Sequence, residues 1–434
     1  MKQTVNIFWF RRDLRLEDNH GLFEALKAKN KVLPIFIFDS EILEKLPKND
    51  ARVTFIHEQL QAINSNLSKK YNSGISMFFG KPLTIYKQLI ESYNIESVFT
   101  NRDYEPYANK RDLEIYTFLK EHNIEFKTYK DQVIFEKEDV VKNDGKPYLV
   151  YTPYMRRWKE TFRNSTLNHF ESKKSLNNLI TNTNFQNLSL SDIGFEMSSQ
   201  KIQPYQLSPD LIETYEATRN FPAQDSTSRL GTHLRFGTVS IRNMVNKAIN
   251  QTNEIFWQEL IWREFFMQIL WHFPQTQTES FKPKYDRIVW RNNELEFKAW
   301  CLGKTGYPFV DAGMRQLNKT GFMHNRVRML VGSFLCKHLL IDWRWGEAYF
   351  AEKLHDYDMA SNIGNWQWVA GCGVDAAPYF RIFNPTTQIK KFDNELEYIK
   401  KWVPDFQELT YPNPIVDHKI ARERCLKTFK EALN

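Results

Sequence analysis

The chain has 434 residues, with 59 Lys and Arg against 52 Asp and Glu, a formal net charge of +7. No apolar run approaches the roughly 18 residues of a membrane-spanning helix. The four cysteines (Cys301, Cys336, Cys372, Cys425) are scattered and form no C-x-x-C pair, which indicates neither a disulfide framework nor a zinc site, while the mild basic excess suits a polyanionic partner.

The length predicts two domains. The opening MKQTVNIFWFRRDLR sets Arg11, Arg12 and Asp13 directly behind a short apolar stretch. A secretory leader needs a longer apolar region and a small-residue cleavage site, so the expected location is the cytoplasm. Short runs rich in Val, Ile and Phe follow at 5–10, 32–39, 75–80 and 97–101, separated by stretches with helical spacing such as 52–71. Strands alternating with helices predict an α/β layer fold over 1–135, a parallel sheet with flanking helices. No G-x-G-x-x-G follows the first strand, so a dinucleotide site of the usual kind is not expected there.

Between 164 and 206 the composition turns to Asn, Ser and Thr with weak periodicity, and 136–206 reads as an interdomain linker running over the surface. From 207 to 434 the apolar spacing is three to four residues, broken by Gly and Pro, which predicts an all-α domain. Trp is concentrated after residue 250, although most of the 12 Trp and 33 Phe are expected simply to fill cores.

Four stretches of the helical half carry chemistry. In TSRLGTHLRFG, Thr227 and Ser228 are either an ordinary helix cap, the commoner outcome, or an anion site at a helix start. WQELIWREFF places Glu259, Trp262 and Arg263 on one helix side, as a buried Glu–Arg pair among packing rings or as a cavity with a stacking wall and an acid. HNRVRML carries Asn325, Arg328 and Met329 on one face with Arg326 to the side. Its arginines need anionic partners, either Asp356 and Asp358 or a phosphate. SNIGNWQWVAGCGVD is Gly-rich and apolar, with Asn362 and Trp366 one turn apart. No G-x-S-x-G elbow, P-loop or metal-ligand cluster is present, so a pocket for a planar, phosphate-bearing ligand walled by Trp remains.

These motifs resemble the photolyase/cryptochrome family, from FWFRRDLRLEDN (8–19) to NPIVDHKIARER (413–424), most specifically at KTGYPFVDAGMRQL (304–317), HNRVRM (324–329), NWQW (365–368) and DAAPYFRIFNPTTQ (375–388). Within the family the chain is most similar to class I enzymes that repair cyclobutane pyrimidine dimers. The resemblance implies an antenna pigment in the α/β domain and FAD in the helical domain. It implies FAD contacts at Tyr215, Thr227, Ser228, Arg229, Leu230, Gly231, Arg263, Asn325, Arg328, Asp356 and Asp358, and at Asn362, which matches the residue facing the flavin N5. Glu259, Trp262, Asn325, Arg326, Met329 and Trp368 match dimer-contacting positions, and Trp366, Trp343 and Trp290 match a three-Trp electron relay ordered outward.

The implied activity is light-driven repair of DNA containing pyrimidine dimers by a monomer, with electron transfer from excited reduced FAD and phosphate contacts from Arg219, Arg326 and Lys390. YEPYANKRD (104–112) has Tyr107 and Ala108 where folate-binding relatives carry Asn-Glu, which leaves deazaflavin, folate or a second flavin open as antenna. Gly231-Thr232 stands where Ser-Pro is common, and Phe322 where Trp is common. A (6-4) photolyase is expected to have a His-rich lesion pocket, whereas HNRVRM has one His. A signalling cryptochrome is expected to carry Asp or Cys at position 362 and a long tail, whereas Asn362 is present and 10 residues follow the last matching motif.

Overall fold

A computed structural model describes residues 2–434. The chain divides into two compact units. The first comprises Met1–Asp139, Lys159–Pro204 and Leu230–Lys247, and the second Val140–Trp158, Tyr205–Arg229 and Ala248–Asn434.

The first unit is built on a five-stranded, all-parallel sheet of order β3-β2-β1-β4-β5. Its strands are β1 (Thr4–Phe10), β2 (Val32–Asp39), β3 (Ser76–Gly80), β4 (Asn94–Asn101) and β5 (Glu125–Tyr129). Side chains alternate across a strand, so Phe8 and Phe10 enter one core while Val5, Ile7 and Trp9 enter the other. Both faces are covered, and β2 is buried along all eight residues, hence its continuous apolar run. Four strands coincide with the runs read from the sequence. The fifth, EFKTY, escaped because it is a half-exposed edge carrying Glu125 and Lys127, charges that also discourage edge pairing.

The stretch 164–206 has an irregular path with two short 3-10 turns, Ser172–Asn178 and Ser191–Ile193. It does more than skirt the surface. Leu176, Leu179, Leu190, Ile193 and Phe195 are buried in the core beneath one sheet face. The region read as linker also holds a regular helix, Tyr151–Arg163.

Leu230–Lys247 closes the carboxyl end of the sheet. Gly237 has φ +65°, and a Cβ there would lie 2.1 Å from the Arg12 carbonyl oxygen, so only glycine fits. Behind it Asp131, fully buried, accepts from Arg15 at 2.6 Å and from Arg242 at 2.8 Å.

No strand follows β5 among the described residues, and the second unit is helical. Its core joins Trp300, Phe309, Phe334, Trp343, Trp366 and Tyr398, all at most 3% exposed. The helices Ile255–His272, Asn325–Ser333, Trp343–Lys353 and Met359–Ala370 carry the residues of interest.

Candidate flavin and lesion site

Two cavities open side by side in the helical unit. One, about 590 Å³, is lined by Asn325, Arg328, Asp356, Asp358, Asn362 and Trp366 among others. The second, about 960 Å³, is lined by Tyr215, Arg219, Glu259, Trp262, Arg263 and Phe266. Both are lined by Asn325, Met329, Ser361, Asn365 and Trp368, so they adjoin.

Local sequence explains the convergence. Asp358 caps the Met359–Ala370 helix by accepting from Ser361 N at 3.2 Å, so that helix starts with its free N–H groups beside the first cavity. Ser361, Asn365 and Trp368 recur at i, i+4 and i+7 and form one polar and aromatic stripe. His324 caps the Asn325–Ser333 helix through Nδ1, which accepts from Arg326 N at 3.2 Å. That nitrogen must therefore be unprotonated. Burial first, and then the charges of Arg328, Arg326, Arg229 and Arg219, push the His324 imidazole down to about 4. Such a field favours an anionic ligand.

Arg328 forms a bidentate pair with Asp356, at 3.1 and 2.8 Å, and both residues still line the cavity. Salt bridge and ligand site are thus the same place. Asn362 donates through Nδ2 to the Glu347 backbone oxygen at 3.1 Å and to its carboxylate Oε1 at 2.9 Å. A carbonyl oxygen only accepts, so the amide orientation is fixed and Oδ1 remains available as an acceptor. Burial raises the Glu347 carboxyl above its ordinary range, although the Asn362 bond opposes this.

In the second cavity Glu259 pairs with Arg219 at 2.5 Å, and Arg219 also lies over the Tyr215 ring at 5.3 Å. Burial and the Glu259 charge push the Tyr215 phenol up to about 12. Trp262 is backed by Tyr151, whose ring is stacked 3.5 Å away with 9° between planes.

The sequence-predicted residues separate into groups. Tyr215, Glu259, Trp262, Arg263, Asn325, Arg328, Met329, Asp356, Asp358, Asn362, Trp366 and Trp368 meet at the two cavities. Arg326 is not among the lining residues. Its guanidinium donates to Asn220 at 2.5 Å and stacks on Phe392 at 4.4 Å. Thr227, Ser228 and Arg229 are not lining residues either. Arg229 adopts φ +55°, pairs with Asp225 at 2.9 Å and stacks on Phe322 at 3.8 Å. They do not cap a long helix, because the helix that follows, Leu230–Phe236, has seven residues and belongs with Leu230 and Gly231 to the first unit.

Of the tryptophan series, Trp366 lines the first cavity, Trp343 is 1% exposed, and Trp290 is half-buried at the edge of the same core. Trp343 Nε1 has no hydrogen-bond partner among the described residues. Gly346 is required here, since a Cβ would stand 2.1 Å from the Trp366 ring.

Sequence reasoning missed Glu347, Ser361, Asn365, Phe266 and Tyr151. A signal for Glu347 existed. In WRWGEAYF it occupies the stripe of Trp343 and Phe350, an apolar position where a carboxylate is out of place.

A helical unit whose cavities are lined by arginines, amides and tryptophans, in one chain with a separate parallel α/β unit, is the arrangement of a protein that holds a flat, phosphate-bearing ligand. Residues 256–410 match the family model described as the FAD binding domain of DNA photolyase, and residues 6–174 match the model described as DNA photolyase. The chain is 36% identical to a deoxyribodipyrimidine photo-lyase of Agrobacterium fabrum over 99% of this chain and 98% of that one. Its fold matches the crystal structure of a bacterial class III photolyase from Agrobacterium tumefaciens with TM-score 0.88 and 34% identity, covering 100% of this chain and 98% of that one. It also matches an archaeal photolyase from Sulfolobus tokodaii with two FAD molecules, at TM-score 0.85 and 32% identity over 99% and 100% of the chains. The chain belongs to the DNA photolyase family. It is a photo-lyase that uses FAD. The likeness of its motifs to class I enzymes does not extend to placing it in that class, since one of these neighbours is class III.

Proposed function

We propose that the chain repairs cyclobutane pyrimidine dimers in DNA under blue light, with the flavin in the first cavity and reaching Tyr215 and Arg263 of the second, and the flipped-out dimer in the second beside Glu259, Trp262 and Trp368. The observation that carries this reading is that the two cavities adjoin and share Asn325, Met329, Ser361, Asn365 and Trp368 in their linings. The residues fit FAD: Arg263 and Arg328 suit a diphosphate, Asp356, Asp358 and Ser361 suit hydroxyls, and the Trp366 side suits a flat ring. Tyr215, Thr227, Ser228 and Arg229 complete the proposed set in the helical unit. When bound and reduced, FAD supplies on excitation the electron that opens the cyclobutane ring and recovers it afterwards, with no net redox change.

The chain's own residues do the rest. Flipping the dimer costs a few kcal/mol, least where pairing is already damaged. Trp262 and Trp368 supply apolar walls that replace lost stacking. The Glu259 carboxylate accepts from the imide N–H, and Asn325 and Met329 define the shared wall. Asn362 presents Oδ1 as a neutral acceptor held by Glu347, adding no charge beside the flavin. Trp366, Trp343 and Trp290 form an inside-to-outside series through which electrons reach the pocket from the surface.

Arg219, Arg326 and Lys390 contact phosphates, so affinity falls steeply with salt. Of the two roles expected for Arg326, its turn to Asn220 and Phe392 supports the phosphate contact over the dimer contact. The protein acts as a cytoplasmic monomer. Illuminating the flavin-loaded protein with a dimer-bearing oligonucleotide under blue light, against a dark control, tests the reading. Restored thymines only in the light support it, and equal yields in light and dark overturn it.

A further inference from the structure

Trp262 presents a wall to the second cavity, and the face it turns away from that cavity is covered. The Tyr151 ring lies parallel to it at 3.5 Å and 9°, and Tyr151 is not itself a lining residue. Phe266, by contrast, lines the cavity and meets Trp262 at 5.5 Å and 29°. Tyr151 is 6% exposed and is held at both ends. Its hydroxyl donates to the Gln258 carbonyl oxygen at 2.7 Å, one residue before Glu259, and its backbone N–H donates to Asp375 at 3.1 Å. One tyrosine therefore ties the Tyr151–Arg163 helix, the helix of Glu259 and Trp262, and the Gly-rich loop after Ala370.

We propose that Tyr151 is a positioning residue for lesion recognition, fixing the Trp262 indole as a flat wall through a parallel ring contact from behind. A half-exposed indole without such a backing has several staggered χ1 states, and each departure from the wall orientation would have to be reversed before a flipped ring pair could stack. The contact lowers that cost before DNA arrives, which is preorganisation. The inference rests on the lesion-pocket reading of the second cavity.

Its test measures affinity for a dimer-bearing oligonucleotide and for the same oligonucleotide undamaged, in the dark, with flavin-loaded protein. Tyr151→Leu removes the ring, Tyr151→Phe keeps the ring and drops the hydroxyl, and Trp262→Ala removes the wall. Tyr151→Leu is expected to lose roughly 3- to 10-fold in preference for the damaged strand, the range of one aromatic pair, while binding undamaged DNA as before. Tyr151→Phe is expected to restore most of that preference. Preference unchanged in Tyr151→Leu overturns the inference, and so does an equal loss in Tyr151→Phe or a parallel loss on undamaged DNA. Retained flavin and melting temperature in Tyr151→Phe keep the comparison valid if the leucine variant folds poorly, since a Phe variant that loses preference is then decisive. If Trp262→Ala still prefers the damaged strand, the lesion-pocket reading itself fails. If that variant loses preference while Tyr151→Leu keeps it, only the role of Tyr151 fails.

Discussion

The two units use the same charged residues to opposite ends. At the carboxyl ends of β1 and β4 the first unit collects Arg11, Arg12, Arg15 and Arg242, and each is answered. Arg11 grips Asp112 at 2.6 and 2.8 Å, Arg12 reaches Asp103 at 3.1 Å and Glu105 at 3.0 Å, and Arg15 and Arg242 converge on Asp131. That place, where the strand order reverses, is where open parallel sheets generally hold ligands. In the helical unit Arg219, Arg229, Arg326 and Arg328 surround His324, and the carboxylate partners of Arg219 and Arg328, Glu259 and Asp356, line the cavities rather than sealing them. A fold-level rule names a crevice. The balance of guanidinium against carboxylate decides whether that crevice is a lock or a site.

The largest effect should come from opening the lock. Asp131→Ala leaves Arg15 and Arg242 without their shared anion in a fully buried position, a loss of about 3–5 kcal/mol. Burial acts to raise the Asp131 carboxyl, but the two guanidiniums hold it below its ordinary value overall. Its stabilisation is thus present above the usual carboxylate range and lost as the pH falls through the lowered value. Calorimetry should show the first unit melting early while flavin content stays the same. Simultaneous loss of flavin would mean that the two units do not divide the work as described.

Next comes the site's own pH dependence. His324 takes up a proton at about 4 in the folded protein and near 6.5 when unfolded, so the unfolded state binds more protons between those values. Stability is complete above about 6.5 and falls towards pH 4, by about 3 kcal/mol in all. Other histidines, His20, His233, His338 and His418, are lowered too, so the useful quantity is a difference. His324→Asn keeps an N-cap acceptor and should flatten the melting-temperature profile by that amount. Identical profiles would place the acid sensitivity elsewhere.

This contrast was only partly legible in the sequence. The sheet could be read because strands buried on both faces have to be apolar throughout, as VLPIFIFD is, and EFKTY was lost because an edge strand is under no such demand. Glu259, Trp262 and Arg263 could be placed together because helical spacing fixes a face. Spacing along one helix, however, does not report what another helix brings opposite. Nothing local marked Tyr151 as the backing of Trp262, 111 positions later, or Glu347 as the partner of Asn362. Nor could pattern show that the Arg326 guanidinium turns to Asn220 and Phe392. Tertiary geometry decided each of these.

A smaller effect separates a carboxylate that serves chemistry from one that serves packing. Glu259→Ala removes the proposed acceptor for the dimer and leaves the half-exposed Arg219 to water, so stability should change little, unlike Asp131→Ala. Repair yield per absorbed photon should fall roughly 10- to 100-fold, the value of one hydrogen bond to a charged group. Flavin should stay bound. An unchanged quantum yield would remove Glu259 from the mechanism.

The smallest energetic change carries the sharpest distinction, that between rings that only pack and rings that also pass electrons. Trp9 in the first unit is 2% exposed, with Arg11 at 4.8 Å and Arg111 at 4.9 Å over its ring, and Trp9→Phe should cost stability and nothing else. Trp290 sits half-buried against Phe429 at 5.8 Å, where a phenyl ring keeps much of the contact, so Trp290→Phe should shift stability by less than about 1 kcal/mol. Phenylalanine is far harder to oxidise than tryptophan, so light-driven reduction of the oxidised flavin should slow sharply in that variant. Chemically pre-reduced protein should repair dimers at the unaltered rate, because repair itself draws nothing from the surface. If repair by pre-reduced Trp290→Phe falls along with photoreduction, Trp290 is acting through packing. Its place at the outer end of the Trp366 and Trp343 series would then be lost.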